Sequence, residues 1–247
     1  MNILVTGARG FIGRNLVEKL KGKKGTEILK FDRGNDPEEL ARYCSECDFL
    51  FHFAAVHRPL HESEFENVNH MFFATLLERL RVHDNRCPVL LTSSIQSGED
   101  TAYGRSKVAA ENELKKHAEM LNSKAIIYRL TNTFGRYARP NHHSVVATFC
   151  HNIARGLPIV ISDPDRVMHL YYIDDVIASF VSHLDNGDRP EADGYYRLPE
   201  ELRYDISLVK LADMLYSFKA CLDEGLKPSI SDEFMAKLYE TYLSYTY

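Results

Sequence analysis

Short apolar runs alternate with longer amphipathic segments along the first half of the chain. The runs have the length of buried strands, and the segments between them repeat apolar residues at helical spacing. The predicted strands are Ile3 to Thr6, Glu27 to Phe31, Phe49 to Ala54, Val89 to Thr92 and Ala125 to Tyr128. The predicted helices are Phe11 to Leu20, Pro37 to Tyr43, Glu66 to His83 and Arg105 to Asn122. This alternation predicts an α/β fold, a Rossmann-type doubly wound parallel sheet covered by helices on both faces.

The pattern becomes irregular beyond Thr131, where a polar, proline-bearing loop runs from Arg136 to His143. The elements predicted after it are a helix over Val145 to Ala154, a short strand at Pro158 to Ile161, and helices near Ile173 to Leu184, Leu208 to Phe218 and Asp232 to Tyr242. We therefore expect residues 1–165 to form a dinucleotide-binding Rossmann domain. Residues 166–247 are expected to form a smaller, mostly helical substrate-binding portion, interleaved with the loop 132–160.

Composition narrows the class of protein. A chain of 247 residues with 45% hydrophobic content is long enough to bury a full core. The net charge of −5, with scattered basic residues, argues against nucleic acid as a partner. The sequence shows neither a long apolar run nor a signal-peptide pattern, so we expect a cytoplasmic protein without a membrane partner. The pair Cys44 and Cys47 has no second CxxC to complete a zinc site, and we interpret it as two thiols at a helix end.

Three glycines stand at the start of the first predicted helix. The stretch "TGARGFIGRN" follows the apolar run Ile3-Leu4-Val5 and places Gly7, Gly10 and Gly13 at intervals of three. This spacing is typical of a phosphate cradle, where a tight turn and a close backbone approach need residues without a Cβ, and a helix N-terminus favours an anion. The predicted cofactor-binding residues are Gly7, Arg9, Gly10, Phe11, Ile12, Gly13, Asp32, Arg33, Ala54, Ala55, Tyr103 and Lys107.

The end of the second predicted strand gives two opposed signals about the cofactor. Asp32 lies about 20 residues after the glycines, where the adenosine ribose is bound, and can accept a hydrogen bond from the free 2′-hydroxyl of NAD. The adjacent Arg33 can instead pair with the 2′-phosphate of NADP. Because the arginine has the longer reach, we favour NADP(H), with NAD(H) as the alternative.

A second group of residues carries the chemistry. Tyr103 and Lys107 are four residues apart at the start of a predicted helix, hence on one face, and Ser94 ends the preceding strand. A tyrosine can exchange a proton with a carbonyl oxygen that a serine hydrogen-bonds, and we expect the nearby ammonium to lower the tyrosine pKa. The predicted reaction is alcohol–ketone interconversion with a nicotinamide cofactor, and the predicted catalytic residues are Ser94, Tyr103 and Lys107.

These motifs resemble a known family. The glycine motif with Tyr-x-x-x-Lys and a strand-end serine is similar to the extended short-chain dehydrogenases/reductases of the nucleotide-sugar branch. More narrowly, "SSIQS", "YGRSK", "TFGRYARPNHHSVVATFCHNIARGLPI", "YIDDV" and "LYETYLSY" resemble the reductase domain of capsular polysaccharide enzymes of the CapF/WbjC type. The resemblance implies NADPH-dependent reduction of a 4-keto-6-deoxy UDP-N-acetylhexosamine in polysaccharide biosynthesis. With it we expect a UDP-sugar as the bound partner and a homodimer.

Alternatives within and outside this family remain open. A nucleotide-sugar 4-epimerase with tightly held NAD needs the same Ser, Tyr and Lys. A dehydratase is disfavoured because Ile95-Gln96 follows Ser94, where such enzymes resemble one another in carrying Asp-Glu. A cofactor-sensing protein is disfavoured because Tyr103 and Lys107 are both present.

Substrate contacts are expected near strand ends and in the loop that follows them. The predicted substrate-binding residues are Asn132, Arg139, Asn141, Arg166 and His169, with Arg139 and Arg166 as candidates for the diphosphate. The loop histidines have no carboxylates or thiolates at metal-ligand spacing, so no metal is expected; these histidines are His57, His61, His142 and His143.

Overall fold

Five parallel strands form the central sheet, in the order β2-β1-β3-β4-β5. The computed structural model describes residues 1–57, 59–142, 144–185, 187 and 189–246. The strands are β1 (Asn2–Thr6), β2 (Glu27–Phe31), β3 (Phe49–His52), β4 (Val89–Ser94) and β5 (Ala125–Leu130). The connecting helices are α1 (Phe11–Leu20), α2 (Pro37–Glu46), α3 (Phe72–Val82) and α4 (Ala102–Leu121). The predicted Rossmann-type fold is confirmed.

Local sequence explains where these helices begin and end. Proline occupies the first position of α2, and the Asp36 side chain accepts a hydrogen bond from the Glu38 N–H at 2.9 Å. The Thr101 side chain caps α4 in the same way, accepting from the Gly104 N–H at 3.0 Å. α4 ends at Leu121, and the following residue, Asn122, has a positive φ of 52°, a conformation that commonly ends helices.

The chain divides into two compact units. The first contains Met1–Leu130 and Ile177–Arg197, and the second contains Thr131–Val176 and Leu198–Tyr247. The assignment of cofactor binding to residues 1–165 and substrate binding to residues 166–247 stays a prediction.

The second unit contains a three-stranded sheet that the sequence pattern did not indicate. Its strands are β6 (Asn132–Phe134), β7 (Val167–Tyr172) and β8 (Arg203–Ser207), with β6 parallel and β8 antiparallel to β7. The helices of this part of the chain are α5 (Val145–Ala154), α6 (Ile173–Ser182, shared with the first unit), α7 (Leu208–Asp223) and α8 (Glu233–Leu243).

Two predicted elements differ from the structure. Residues 158–161 form no strand, because this segment pairs with no other strand among the described residues and Val160 is 83% exposed. The predicted helix from Glu66 to His83 begins as a π-helical segment, Phe65–Met71, and becomes α-helical only at Phe72.

A buried histidine lies on α4. His117 is fully buried, and neither ring nitrogen has a hydrogen-bond partner among the described residues. Burial, reinforced by the nearby Arg81 charge, lowers the pKa of His117 from 6.5 to about 4. Between these two pH values the unfolded chain binds a proton that the folded chain does not, so the contribution of His117 to stability falls as the pH is lowered.

We expect a His117→Leu substitution to raise the free energy of unfolding at pH 7 by about 1 kcal/mol, because it removes a buried polar group without a partner. The same variant should lose stability less steeply between pH 6.5 and pH 4. Urea denaturation across this range measures both effects, with His83→Leu, at an exposed position, as the control. A pH dependence identical to that of the parent would show that His117 does not titrate on unfolding.

Candidate active site

The three glycines form a tight turn between β1 and α1. Gly7 has a φ of +69°, and a Cβ on it would lie 2.7 Å from the backbone nitrogen of Ala54. A Cβ on Gly13 would lie 2.8 Å from the Cα of Ala8. α1 begins immediately after Gly10, with no side-chain cap and no acidic residue in its first turn. The free N–H groups and the positive end of the helix dipole at the start of α1 can therefore bind a pyrophosphate. The glycine turn thus fits a dinucleotide.

Asp32 at the end of β2 is held by the glycine turn itself. Its Oδ1 accepts a hydrogen bond from the backbone N–H of Arg9 at 3.1 Å, and its Oδ2 lies 3.8 Å from the Arg9 Nε. The Asp32 side chain is 13% exposed, whereas that of Arg9 is 82% exposed. Arg33 is also exposed and forms a long ion pair of 3.8 Å with Glu64. The exposed Arg9 guanidinium therefore lies beside Asp32 in the structure, and the exposed Arg33 follows Asp32 directly in the sequence.

The predicted catalytic residues meet where β4 ends and α4 begins. Ser94 is the last residue of β4, and Tyr103 lies in the first turn of α4, close enough for the Ser94 side chain to lower the Tyr103 pKa. Lys107 is buried one turn further on; its Nζ donates to the Thr92 carbonyl at 3.2 Å and lies 5.8 Å from the centre of the Tyr103 ring. The His57 ring packs on Tyr103, with centroids 4.4 Å apart.

The pKa of Tyr103 moves in the direction opposite to the prediction. Burial raises the pKa of the phenol, and the hydrogen bond from Ser94 only partly opposes this. The expected lowering by Lys107 is wrong here, since that ammonium is directed to a backbone carbonyl. Burial also lowers the pKa of Lys107 to about 8, against the opposing charge of Glu111. At neutral pH the site therefore holds a protonated phenol beside a largely protonated lysine.

Glu111, which was not predicted from the sequence, connects α4 to the strands that carry this site. Its buried carboxylate accepts from the Ser93 hydroxyl at 2.5 Å, from the Arg129 guanidinium at 2.6 and 2.9 Å, and from the Tyr195 hydroxyl at 2.8 Å. Burial raises the pKa of Glu111, but these hydrogen bonds outweigh it and hold the pKa below its usual range. The spacing of four residues from Lys107 was the available signal, since it places both on one helix face.

Asn69 links the loop after β3 to α4. Its side-chain oxygen accepts from the Val56 N–H at 2.7 Å, and its nitrogen donates to the Val56 carbonyl at 3.0 Å and to the Ser106 hydroxyl at 3.2 Å. Ser106 in turn donates to the Tyr103 carbonyl at 2.8 Å. The predicted cofactor residues Ala54 and Ala55 lie just before Val56. This amide therefore ties their loop to the helix that carries the tyrosine.

The predicted substrate-binding residues are all exposed and lie in the second unit. Asn132 starts β6 and stands opposite Leu170 of β7. His169 of β7 is already engaged with Asp205 of β8 at 2.7 Å. Arg139 and Asn141 follow β6, and Arg166 precedes β7. Their role in substrate binding stays a prediction.

No three His, Cys, Asp or Glu side chains converge as a metal site within the described part of the chain, and His143 lies outside it. Cys44 and Cys47 are buried free thiols, and the Cys47 Sγ lies 3.7 Å from that of Cys87. None of the described helices has the length and apolar character that a membrane span requires.

A glycine cradle at the carboxyl edge of a parallel sheet, with buried Ser94 and Lys107 and half-buried Tyr103 at the same edge, is typical of nucleotide-dependent oxidoreductases of the short-chain type. The chain belongs to the NAD dependent epimerase/dehydratase family, which its sequence matches over residues 3–197. The predicted family resemblance and enzyme class are confirmed.

Two bacterial proteins resemble nearly the whole chain. The UDP-2-acetamido-2,6-beta-L-arabino-hexul-4-ose reductase of Pseudomonas aeruginosa is 39% identical over 245 residues, which are 99% of this chain and 65% of that protein. The capsular polysaccharide assembling protein CapF of Staphylococcus aureus is 36% identical, with a TM-score of 0.88 over 99% of this chain and 66% of that one. The chain thus spans slightly less than two thirds of the length of both.

A more distant solved structure shares the fold. The UDP-glucose 4-epimerase of Thermotoga maritima is 20% identical and covers 99% of this chain and 98% of its own, with a TM-score of 0.78.

We expect a Gly13→Ala substitution to weaken binding of a reduced nicotinamide cofactor at least about tenfold, because the new methyl group meets fixed backbone of the turn rather than a flexible side chain. Fluorescence titration with NADPH and with NADH measures the affinity, and thermal unfolding checks that the variant folds. Gly98→Ala is the control, since a Cβ there meets nothing within 4 Å. Equal affinity of a folded Gly13→Ala protein would rule out this turn as the pyrophosphate site.

Proposed function

We propose that the protein catalyses NADPH-dependent reduction of the 4-keto group of a 6-deoxy UDP-N-acetylhexosamine, as a step in polysaccharide biosynthesis. The observation that carries this proposal is the placement of Ser94 at the end of β4 and of Tyr103 and Lys107 on successive turns at the start of α4, with the Lys107 Nζ 5.8 Å from the centre of the Tyr103 ring. The substrate class is supported by the 39% identity to the UDP-2-acetamido-2,6-beta-L-arabino-hexul-4-ose reductase of Pseudomonas aeruginosa. The homodimer and the cytoplasmic location stay predictions.

The protonation states of the site suit reduction. When bound, the reduced nicotinamide supplies a hydride to the carbonyl carbon. Tyr103 donates its proton to the carbonyl oxygen, and its raised pKa keeps that proton in place until the oxygen becomes basic. Ser94 orients the same oxygen by hydrogen bonding, and the Lys107 ammonium adds a positive charge 5.8 Å from the centre of the Tyr103 ring.

The charges around Asp32 favour NADPH over NADH. Asp32 already accepts the Arg9 N–H and is largely covered, so it is poorly disposed to accept from a ribose hydroxyl. Arg9 and Arg33 are exposed and can turn toward a 2′-phosphate. A tenfold preference needs only about 1.4 kcal/mol, which one charge-assisted hydrogen bond supplies.

The sugar nucleotide is expected to bind at the exposed polar residues of the second unit. Arg139 and Arg166 carry the charge suited to the diphosphate, while Asn132, Asn141 and His169 offer hydrogen bonds to the sugar.

A Tyr103→Phe substitution should lower kcat about a hundredfold or more, because it removes the transferable proton, while leaving NADPH affinity nearly unchanged. The assay follows NADPH oxidation with the UDP-linked 4-keto sugar. Tyr43→Phe, on α2, is the control.

Stoichiometric consumption of NADPH by the parent protein distinguishes a reductase from a 4-epimerase, which needs only catalytic amounts of cofactor. Full activity of the Phe variant would remove Tyr103 from the mechanism.

We expect each of the substitutions Arg9→Ala and Arg33→Ala to weaken NADPH binding several-fold, up to about tenfold, because each removes one charged hydrogen bond to the 2′-phosphate. NADH binding should stay almost unchanged. NADH is the internal control because it lacks only the 2′-phosphate. Dissociation constants for both cofactors provide the measurement. Tighter NADH binding by the parent, or an unchanged preference in both variants, would assign NAD(H) as the cofactor and Asp32 as the residue that binds the ribose.

A further inference from the structure

The loop of residues 135–142, between β6 and α5, has an unusual backbone. Gly135 has a φ of +148°, and two residues with side chains, Tyr137 and Asn141, have φ values of +71° and +56°. Residues with a Cβ rarely adopt positive φ, so such a loop keeps its shape only when its surroundings fix it.

Tyr245, two residues beyond the end of α8, provides a buried attachment for this loop. Its hydroxyl donates to the Ala138 carbonyl at 2.6 Å, and the Gly135 carbonyl lies 3.3 Å from the same oxygen. Tyr245 and Ala138 are both buried. The hydroxyl therefore bridges the two sides of the turn that contains Tyr137.

Tyr245 makes two backbone hydrogen bonds of its own. Its carbonyl accepts from the Arg155 guanidinium at 2.7 Å, and its N–H donates to the Tyr242 carbonyl at 2.9 Å. α8 is fixed in turn by Lys237, which pairs with Asp175 at 2.7 Å. The residue whose hydroxyl contacts the loop is thus itself hydrogen-bonded to two other parts of the second unit.

Two further attachments of the loop lie at exposed positions. The ion pair between Arg136 and Asp174 at 3.0 Å is solvent-accessible, and the Asn141 N–H donates to the Thr148 hydroxyl at an exposed position. Exposed contacts of this kind contribute little free energy to holding the loop in one conformation. A buried hydrogen bond costs more to lose, because the carbonyl groups stay buried without a donor.

We propose that Tyr245 is a positioning residue for the nucleotide-sugar site, whose hydroxyl holds the 135–142 loop in the conformation that presents Arg139 and Asn141 to the diphosphate and sugar. The inference rests on the proposed function, which assigns those two residues to the substrate. Arg139 directly follows Ala138, so any displacement of the Ala138 carbonyl moves the guanidinium that the diphosphate would meet.

The first test compares Tyr245→Phe with Tyr239→Phe. Tyr239 lies on α8 and packs on Phe218, and its hydroxyl makes no hydrogen bond to a described residue. Tyr239→Phe therefore removes the same single oxygen atom without removing a hydrogen bond. Limited trypsin digestion, followed by mass spectrometry of the Arg136–Tyr137 bond, reports the order of the loop without any substrate. Calorimetric titration with UDP reports the binding site without turnover.

We expect faster cleavage after Arg136 and UDP affinity about tenfold weaker in Tyr245→Phe, with both unchanged in Tyr239→Phe. In the reductase assay, KM for the sugar nucleotide should rise by a similar factor while kcat and KM for NADPH stay near the parent values, which general loss of folded protein would not produce. Unchanged cleavage would overturn the proposal. Faster cleavage with unchanged UDP affinity would also overturn it, because Tyr245 would then only stabilise the fold.

A double variant sets a stricter condition. If Tyr245 acts through Arg139, combining Tyr245→Phe with Arg139→Ala should weaken UDP binding no more than Arg139→Ala alone. Fully additive losses would overturn the proposed route through Arg139. A parent protein that binds UDP but does not oxidise NADPH with the keto sugar would contradict the proposed reaction, while the digestion and titration would still decide the role of Tyr245.

Discussion

The geometry of the predicted catalytic residues depends on one buried carboxylate. Glu111 lies inside the first unit and satisfies its charge with Ser93 from β4, Arg129 from β5 and Tyr195 from the segment after α6. A buried charge that loses its partners is strongly destabilising, so α4 cannot slide or rotate on the sheet without breaking several bonds at once. Ser94 and Lys107 are the nearest functional neighbours of Ser93 and Glu111 along the chain, and their separation follows from this fixed packing.

The same arrangement controls charge in the site. Lys107 is buried between the sheet and α4, where an isolated ammonium would be costly. His52 of β3 lies close to it and is kept neutral, since burial and the Lys107 charge lower the pKa of His52 to about 3. Glu111 supplies the compensating negative charge from the next helical turn. A proton donor, a cation and a neutral histidine thus coexist in a buried site at neutral pH.

Periodicity predicted much of the fold, because the buried parallel strands read as continuous apolar runs, and α1 and α5 have the predicted bounds. The sheet of the second unit was missed because β6 has only three residues and β7 alternates exposed and buried positions over its first four residues. Glu111 and Asn69 were missed for another reason. Their partners, Tyr195 and Val56 among them, are distant in sequence, and no local pattern indicates a contact of that kind. The pKa of Tyr103 could not be predicted from spacing alone, since burial dominates it.

The contact between Arg9 and Asp32 has an evolutionary consequence. The hydrogen bond that ties the glycine turn to the end of β2 uses the backbone N–H at position 9, which every residue except proline provides. A substitution of this side chain by any residue except proline therefore keeps the attachment. Descendants of such a chain can exchange the charge predicted to face the adenosine end of a cofactor while the turn itself is inherited intact, so that the charge at position 9 and the architecture of the turn can evolve as separable traits.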